Sequence, residues 1–181
     1  MELILQQGLP HQQKAIDAIC GALEGVSMKP PKQFYENPQI ELDGAILSNN
    51  IIKVQNANSI APEYRSSDPI ESCLNLDIKM ETGTGKTYVY TKAIYELHKR
   101  WGLNKFIVAV PSLAIKAGTE QFMKDDYARR HFTDSCGYGA DIELGVLEAP
   151  KNKKKDAATF PVLSVTLSRA AARTQRKFMF C

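Results

Sequence analysis

Between Glu81 and Tyr88 the chain reads ETGTGKTY, and the residue types in this short run bear on one chemistry. Gly83 and Gly85 permit backbone conformations closed to residues with a Cβ, so Thr82, Gly83, Thr84 and Gly85 can turn successive N–H groups toward phosphate oxygens. Lys86 has the reach and charge to meet the β- and γ-phosphates of a nucleotide. Thr87 has the hydroxyl to bind a Mg²⁺ ion that bridges them. A helix opening at the end of the loop would add the positive end of its dipole. The pattern G-x-x-x-x-G-K-[ST] is met except at its first position, where Met80 stands in place of glycine. A tight Gly-Thr turn without a ligand is the alternative, and the flanking sequence favours the cradle. ATP with Mg²⁺ is the expected occupant.

That context consists of the elements that must carry the loop. Upstream, CLNLDIKM alternates Leu74, Leu76, Ile78 and Met80 with polar residues, as a strand does. Downstream, Tyr90, Ile94, Leu97 and Trp101 recur at helical spacing, which predicts a helix from about Thr87 to Trp101, and KFIVAVP then reads as a buried strand ending at Pro111. Strand, glycine loop, helix and strand form a βαβ unit, which implies an α/β fold with a parallel sheet flanked by helices. Near the N-terminus, Ala15, Ile16, Ile19, Cys20 and Leu23 predict an amphipathic helix opened by Pro10 and stopped near Gly25. Residues 27–70 show no sustained period and hold prolines at 30, 31, 38 and 62. They read as an insertion of loops and short strands, with a hairpin across Asn49 and Asn50 in AILSNNIIKVQ.

Composition bounds the class. With 181 residues, 44% apolar and 24% charged, the chain suits one soluble globular domain rather than a disordered or fibrous protein. It has neither an apolar run long enough to span a membrane nor a signal-like start, so a cytoplasmic location is expected. Cys20, Cys73, Cys136 and Cys181 lie far apart without a CxxC pair, and read as free thiols. His11, His98 and His131 lack metal-ligand spacing and are assigned surface or packing roles. The net charge of +3 comes from the last stretch: residues 161–181 carry four basic side chains and no acid, which leaves 19 basic against 20 acidic in the first 160. The run KNKKK, Lys151 to Lys155, reads as a solvated loop.

Met80 to Thr119, METGTGKTYVYTKAIYELHKRWGLNKFIVAVPSLAIKAGT, resembles the first motor motifs of superfamily 2 helicases, and in particular those of the restriction (Res) subunit of type III restriction-modification enzymes. The resemblance covers most of residues 1–155. It implies that residues 1–160 are an incomplete RecA-like P-loop NTPase domain, the N-terminal ATP-binding part of an ATP-dependent DNA translocase and endonuclease. Its partners would be double-stranded DNA and a modification (methyltransferase) subunit. LPHQ, Leu9 to Gln12, resembles the segment whose glutamine recognises adenine, which assigns that role to Gln12. VPSLAIK resembles motif Ia, which assigns Pro111, Ser112 and Leu113 to the DNA backbone. Such motors hydrolyse ATP with a D-E-x-H motif that this sequence does not contain. Asp125 and Asp126, its adjacent carboxylates, sit in a charged helical stretch and read as a solvated face. The resemblance also implies a second motor domain with an arginine finger and a nuclease with a D…E-x-K site, and neither is in this sequence. The final VTLSRAAARTQRKFMFC is compositionally unlike the rest. One permitted set of codons, read one nucleotide earlier, yields DFVEGSRQNTEKIYVL, which resembles the family's continuation. Residues 161–181 are therefore expected to be translated out of frame. Two other readings stay open: a stand-alone P-loop protein of another class, and a non-catalytic module that binds an anion or nucleic acid.

Overall fold

The computed structural model describes residues 5, 8–33, 36–41, 44–65, 74–146 and 162–169. The chain separates into two compact units, Met1–Lys105 and Phe106–Cys181.

The first unit is built on three helices. Helix α1, Pro10–Ala22, starts with its proline at a first-turn position, where the missing N–H is not needed. It buries Ala15, Ile16 and Cys20 against Val89 of α3, Lys86–Trp101, with Met80 and Trp101 closing the cluster. A second cluster joins Leu23, Val26 and the fully buried Leu47, flanked by Ile40, Ile51, Leu74, Leu97 and Trp101. Trp101 thus packs on both clusters.

Leu47 belongs to α2, Gly44–Ala57, which replaces the hairpin expected across Asn49 and Asn50. Leu47, Ile51 and Val54 recur at i, i+4 and i+7, the spacing of one helix face. Asn50 does not turn the chain; its Nδ2 donates to the carbonyls of Ala22 (3.3 Å) and Glu24 (2.6 Å), which closes the C-terminal end of α1. Helices α1 and α2 approach closely at Gly21, where an added Cβ would stand 3.1 Å from Val54 Cγ2. The expected insertion also contains a short antiparallel pair, β1 (Met28–Lys29) with β2 (Gln39–Ile40). Between the two strands, Asn37 Oδ1 accepts from the N–H groups of Asn104 (2.8 Å) and Lys105 (2.9 Å), and Asn37 Nδ2 donates to the Lys105 carbonyl at 2.7 Å.

The expected strand before the glycine loop is a further correction. Residues 74–81 belong to neither sheet. Their alternation survives only at the ends, where Leu74 and Met80 pack on the two apolar clusters, while Leu76 and Ile78 remain 37% and 40% exposed.

The second unit holds a sheet of order β3-β5-β4, with β3 Lys105–Ala109, β4 Ala140–Val146 and β5 Val162–Arg169. Strands β4 and β5 run antiparallel over seven residue pairs, from Ala140 opposite Arg169 to Val146 opposite Leu163, so the expectation of a parallel sheet does not describe this pair. Leu163, Val165 and Leu167 are buried while the residues between them are half-buried, the period-two signature of a strand with one face inward. Gly145 faces Ser164, and a Cβ there would run into Ser164 Oγ. Of the tail expected to be out of frame, residues 162–169 form β5, and 170–181 lie outside the described residues, as does the KNKKK run.

Helix α4, Leu113–Lys124, and α5, Asp126–Arg130, meet at Asp125, whose Oδ1 accepts from Ala128 N at 2.9 Å. This aspartate is thus a helix cap rather than only a solvated charge. A π-helical turn, His131–Ser135, follows, with Phe132 buried between edge-on contacts to Phe122 (6.4 Å) and His131 (5.3 Å).

Candidate functional site

The glycine loop joins residues 74–81 to α3, and its conformation follows from its sequence. Gly83 and Gly85 adopt φ of 82° and 81°, the left-handed region that residues with a Cβ avoid. Thr84 Oγ1 donates to the Glu81 carbonyl at 2.7 Å and ties the loop across its own turn. Lys86, the first residue of α3, folds back: its Nζ donates to the carbonyls of Glu81 (2.6 Å) and Met80 (3.2 Å). Thr87 lies in the first turn, and its carbonyl accepts from Thr91 Oγ1 at 2.7 Å.

Helix α1 supplies the other side. Gln12 is 7% exposed, and its Nε2 donates to the Thr84 carbonyl at 3.1 Å. Its Oε1 is buried without a hydrogen-bond donor. Packing is close enough that a Cβ on Gly85 would lie 2.5 Å from Gln12 Nε2. The neighbouring His11 is exposed, and its Nε2 reaches the same Thr84 carbonyl at 3.2 Å. The sequence singled out Gln12 as a ligand-binding residue but not His11, and only their adjacency in the first turn of α1 could have signalled it. Farther along α1, Gln13 Oε1 accepts from Lys92 Nζ at 3.2 Å, a polar tie between α1 and α3.

Beside the loop, a cavity of about 890 Å³ lies between α1, α2 and residues 75–81, with Thr84, His11, Lys14, Asp77, Lys79 and Glu81 among its walls. The remaining expected site residues are in the second unit. Ser112 caps α4, its Oγ accepting from Ile115 N at 3.3 Å, and Leu113 is 73% exposed beside it. Pro111 lies between β3 and α4. Among the described residues no group of three or more His, Cys, Asp and Glu gathers as a metal site, and no helix is long and apolar enough to cross a membrane.

The donor set fits a nucleotide's phosphates: two glycines in the left-handed region, a lysine at the loop edge and a threonine at the start of a helix of 16 residues. A loop so made, opening a helix in an α/β chain, marks the P-loop NTPase class. Comparison with known proteins gives the family: residues 6–177 match the family model described as type III restriction enzyme, res subunit, and the chain belongs to that family. It is 39% identical over 163 residues to the type III restriction-modification enzyme EcoP15I Res subunit of Escherichia coli, and 37% identical over 159 residues to the EcoPI Res subunit of Escherichia phage P1. Each alignment takes in 86% of this chain and 16% of the relative. The StyLTI Res subunit of Salmonella typhimurium is 34% identical over 172 residues, which is 94% of this chain and 15% of that protein. The chain therefore spans about one sixth of the length of these relatives.

Proposed function

We propose that this chain is an ATP-binding portion of a type III restriction endonuclease, in which Thr82 to Thr87 hold the phosphates of MgATP. The carrying observation is the loop itself, with Gly83 and Gly85 in the left-handed region and Lys86 Nζ within reach of the turn. Lys86 now occupies the loop's own carbonyls. Phosphate oxygens offer the ammonium stronger, charged acceptors, so the side chain exchanges Glu81 and Met80 for the nucleotide. Thr87 would hold Mg²⁺, which neutralises charge on the phosphates when bound. Gln12 Oε1, buried and lacking a donor, is the atom that an adenine amino group would satisfy.

In the whole enzyme this portion would act with double-stranded DNA and a modification subunit in the cytoplasm, as the relatives' description as Res subunits of restriction-modification enzymes suggests. Pro111, Ser112 and Leu113 would lie along the DNA backbone. Exposure of Leu113 and the uncovered start of α4 support that assignment. The reading of residues 161–181 as out of frame is a statement about the gene, and the nucleotide sequence around codon 160 decides it.

Titration of the 181-residue chain with MgATP tests the nucleotide site. Wild type binds, and Lys86→Ala loses most of the affinity, because a charge-assisted contact to phosphate has no substitute there. Equal binding by both proteins would remove the P-loop reading.

A further inference from the structure

Two consecutive side chains of α1 converge on a single carbonyl oxygen, Thr84 O: Gln12 Nε2 at 3.1 Å and His11 Nε2 at 3.2 Å. A carbonyl only accepts, so the His11 contact requires the ring proton on Nε2. The two donors occupy both lone pairs of that oxygen. The peptide that joins Thr84 to Gly85 is trans and planar, so its C=O and N–H point to opposite sides. Drawing the carbonyl toward α1 therefore aims the Gly85 N–H away from α1. Gly85 at φ 81° lets Gln12 come this close, since a Cβ would displace it.

We propose that His11 is a positioning residue of the phosphate loop: with Gln12 it pins the Thr84 carbonyl and so holds the Gly85 N–H in the direction in which it meets a phosphate oxygen. The inference rests on the nucleotide reading above and adds a residue to it. His11 touches neither nucleotide nor metal in this role. It acts through one peptide plane. Gln12, nearly buried and bonded to the same atom, cannot fix that plane alone, because a single hydrogen bond leaves rotation about its own axis open, whereas two donors from different directions remove it. The exposed position of His11 makes the contact expendable for folding, so Gln12 both packs and pins, and His11 completes the aim.

The test is MgATP titration of the full 181-residue chain as wild type, His11→Ala, His11→Gln and Lys86→Ala, with urea midpoints recorded in parallel. His11→Ala is expected to raise Kd about five-fold, the effect of one Gly85 N–H contact to phosphate lost through misalignment. His11→Gln, which returns an N–H donor, is expected to fall within about two-fold of wild type. Urea midpoints of both His11 variants stay at the wild-type value. If wild type binds, Lys86→Ala does not and His11→Ala matches wild type, the inference is overturned while the nucleotide reading stands. Equal weakening by Ala and Gln overturns it too, because a restored donor should restore the aim. If wild type fails to bind or Lys86→Ala binds equally, the nucleotide reading falls and this inference falls with it.

Discussion

Gly83 and Gly85 share a φ within one degree of each other, yet they stand in different surroundings, and alanine at each position separates two energies. At Gly83 an added Cβ meets nothing within 4 Å; at Gly85 it meets Gln12 Nε2 at 2.5 Å, Gln12 Cδ at 3.6 Å and Tyr88 Cβ at 3.9 Å. Gly83→Ala therefore carries only the left-handed penalty, about 1 to 2 kcal/mol. Gly85→Ala carries the same penalty and also pushes the Gln12 amide off Thr84 O within its buried surroundings. That amide loses its bond to Thr84 O, and with Oε1 already lacking a donor it becomes unsatisfied at both ends, a further 1 to 3 kcal/mol or about 2. Urea unfolding with linear extrapolation should thus place Gly85→Ala about 2 kcal/mol below Gly83→Ala. In a Gln12→Ala background the excess should vanish and the two glycine substitutions become equal, which a double-mutant cycle reads directly. Equal losses at the two glycines in the wild-type background would refute the reasoning. So would an excess that persists without Gln12, since the amide would then not be what the Cβ displaces.

Burial raises the Cys20 thiol from its ordinary 9.0 to about 11, with Glu96, Asp17 and Glu24 adding to the shift and Arg100 opposing it. The unfolded chain gives up this proton first, so the native state's advantage is intact below pH 9 and declines as pH rises toward 11, by about 3 kcal/mol in total. Unfolding free energies measured across that window should show the slope in wild type and lose it in Cys20→Ala; a slope unchanged by the substitution would assign it elsewhere. Asn37→Ala removes the three hydrogen bonds that tie residues 37 and 104–105 and should reduce stability by about 1 to 2 kcal/mol. Asn37→Asp keeps the acceptor for both N–H groups and should lie between, so an aspartate as damaging as alanine would contradict the bonding pattern.

Much of the site was legible in the sequence because its signals are local. A glycine pair followed by Lys-Thr, a proline-opened amphipathic helix, and the 3.6-residue period of α3 each depend on neighbours within a few turns, and the structure has α1, α3 and β3 where they were expected, although β3 is not the buried strand foreseen, since Ile107 is 72% exposed. The hairpin across Asn49 and Asn50 failed for a reason that no local rule contains. Asparagine between two apolar runs is a turn signal, but here the Asn50 amide serves the end of a different helix, α1, more than twenty residues away. The helical spacing of Leu47, Ile51 and Val54 was the competing signal. For residues 74–81 the alternation was real but its fulfilment needs a neighbouring strand, which a pattern within one segment cannot supply. The antiparallel pairing of β4 with β5 is likewise a long-range outcome. His11 reads from sequence as a surface or packing residue because a histidine beside a helix start has no motif of its own, and its partner, Thr84, is 73 positions away.

Gly145 has a bearing on how β4 and β5 find their alignment. Sliding one strand by a single residue would turn Leu163, Val165 and Leu167 to the other face, and loss of burial rejects that error. A slide by two residues keeps the faces correct, and burial cannot detect it. It would, however, bring Glu143, with its Cβ, opposite Ser164, whose hydroxyl now occupies the space above Gly145 and would have to rotate away. The missing methyl group thus disfavours a misalignment that hydrophobicity tolerates.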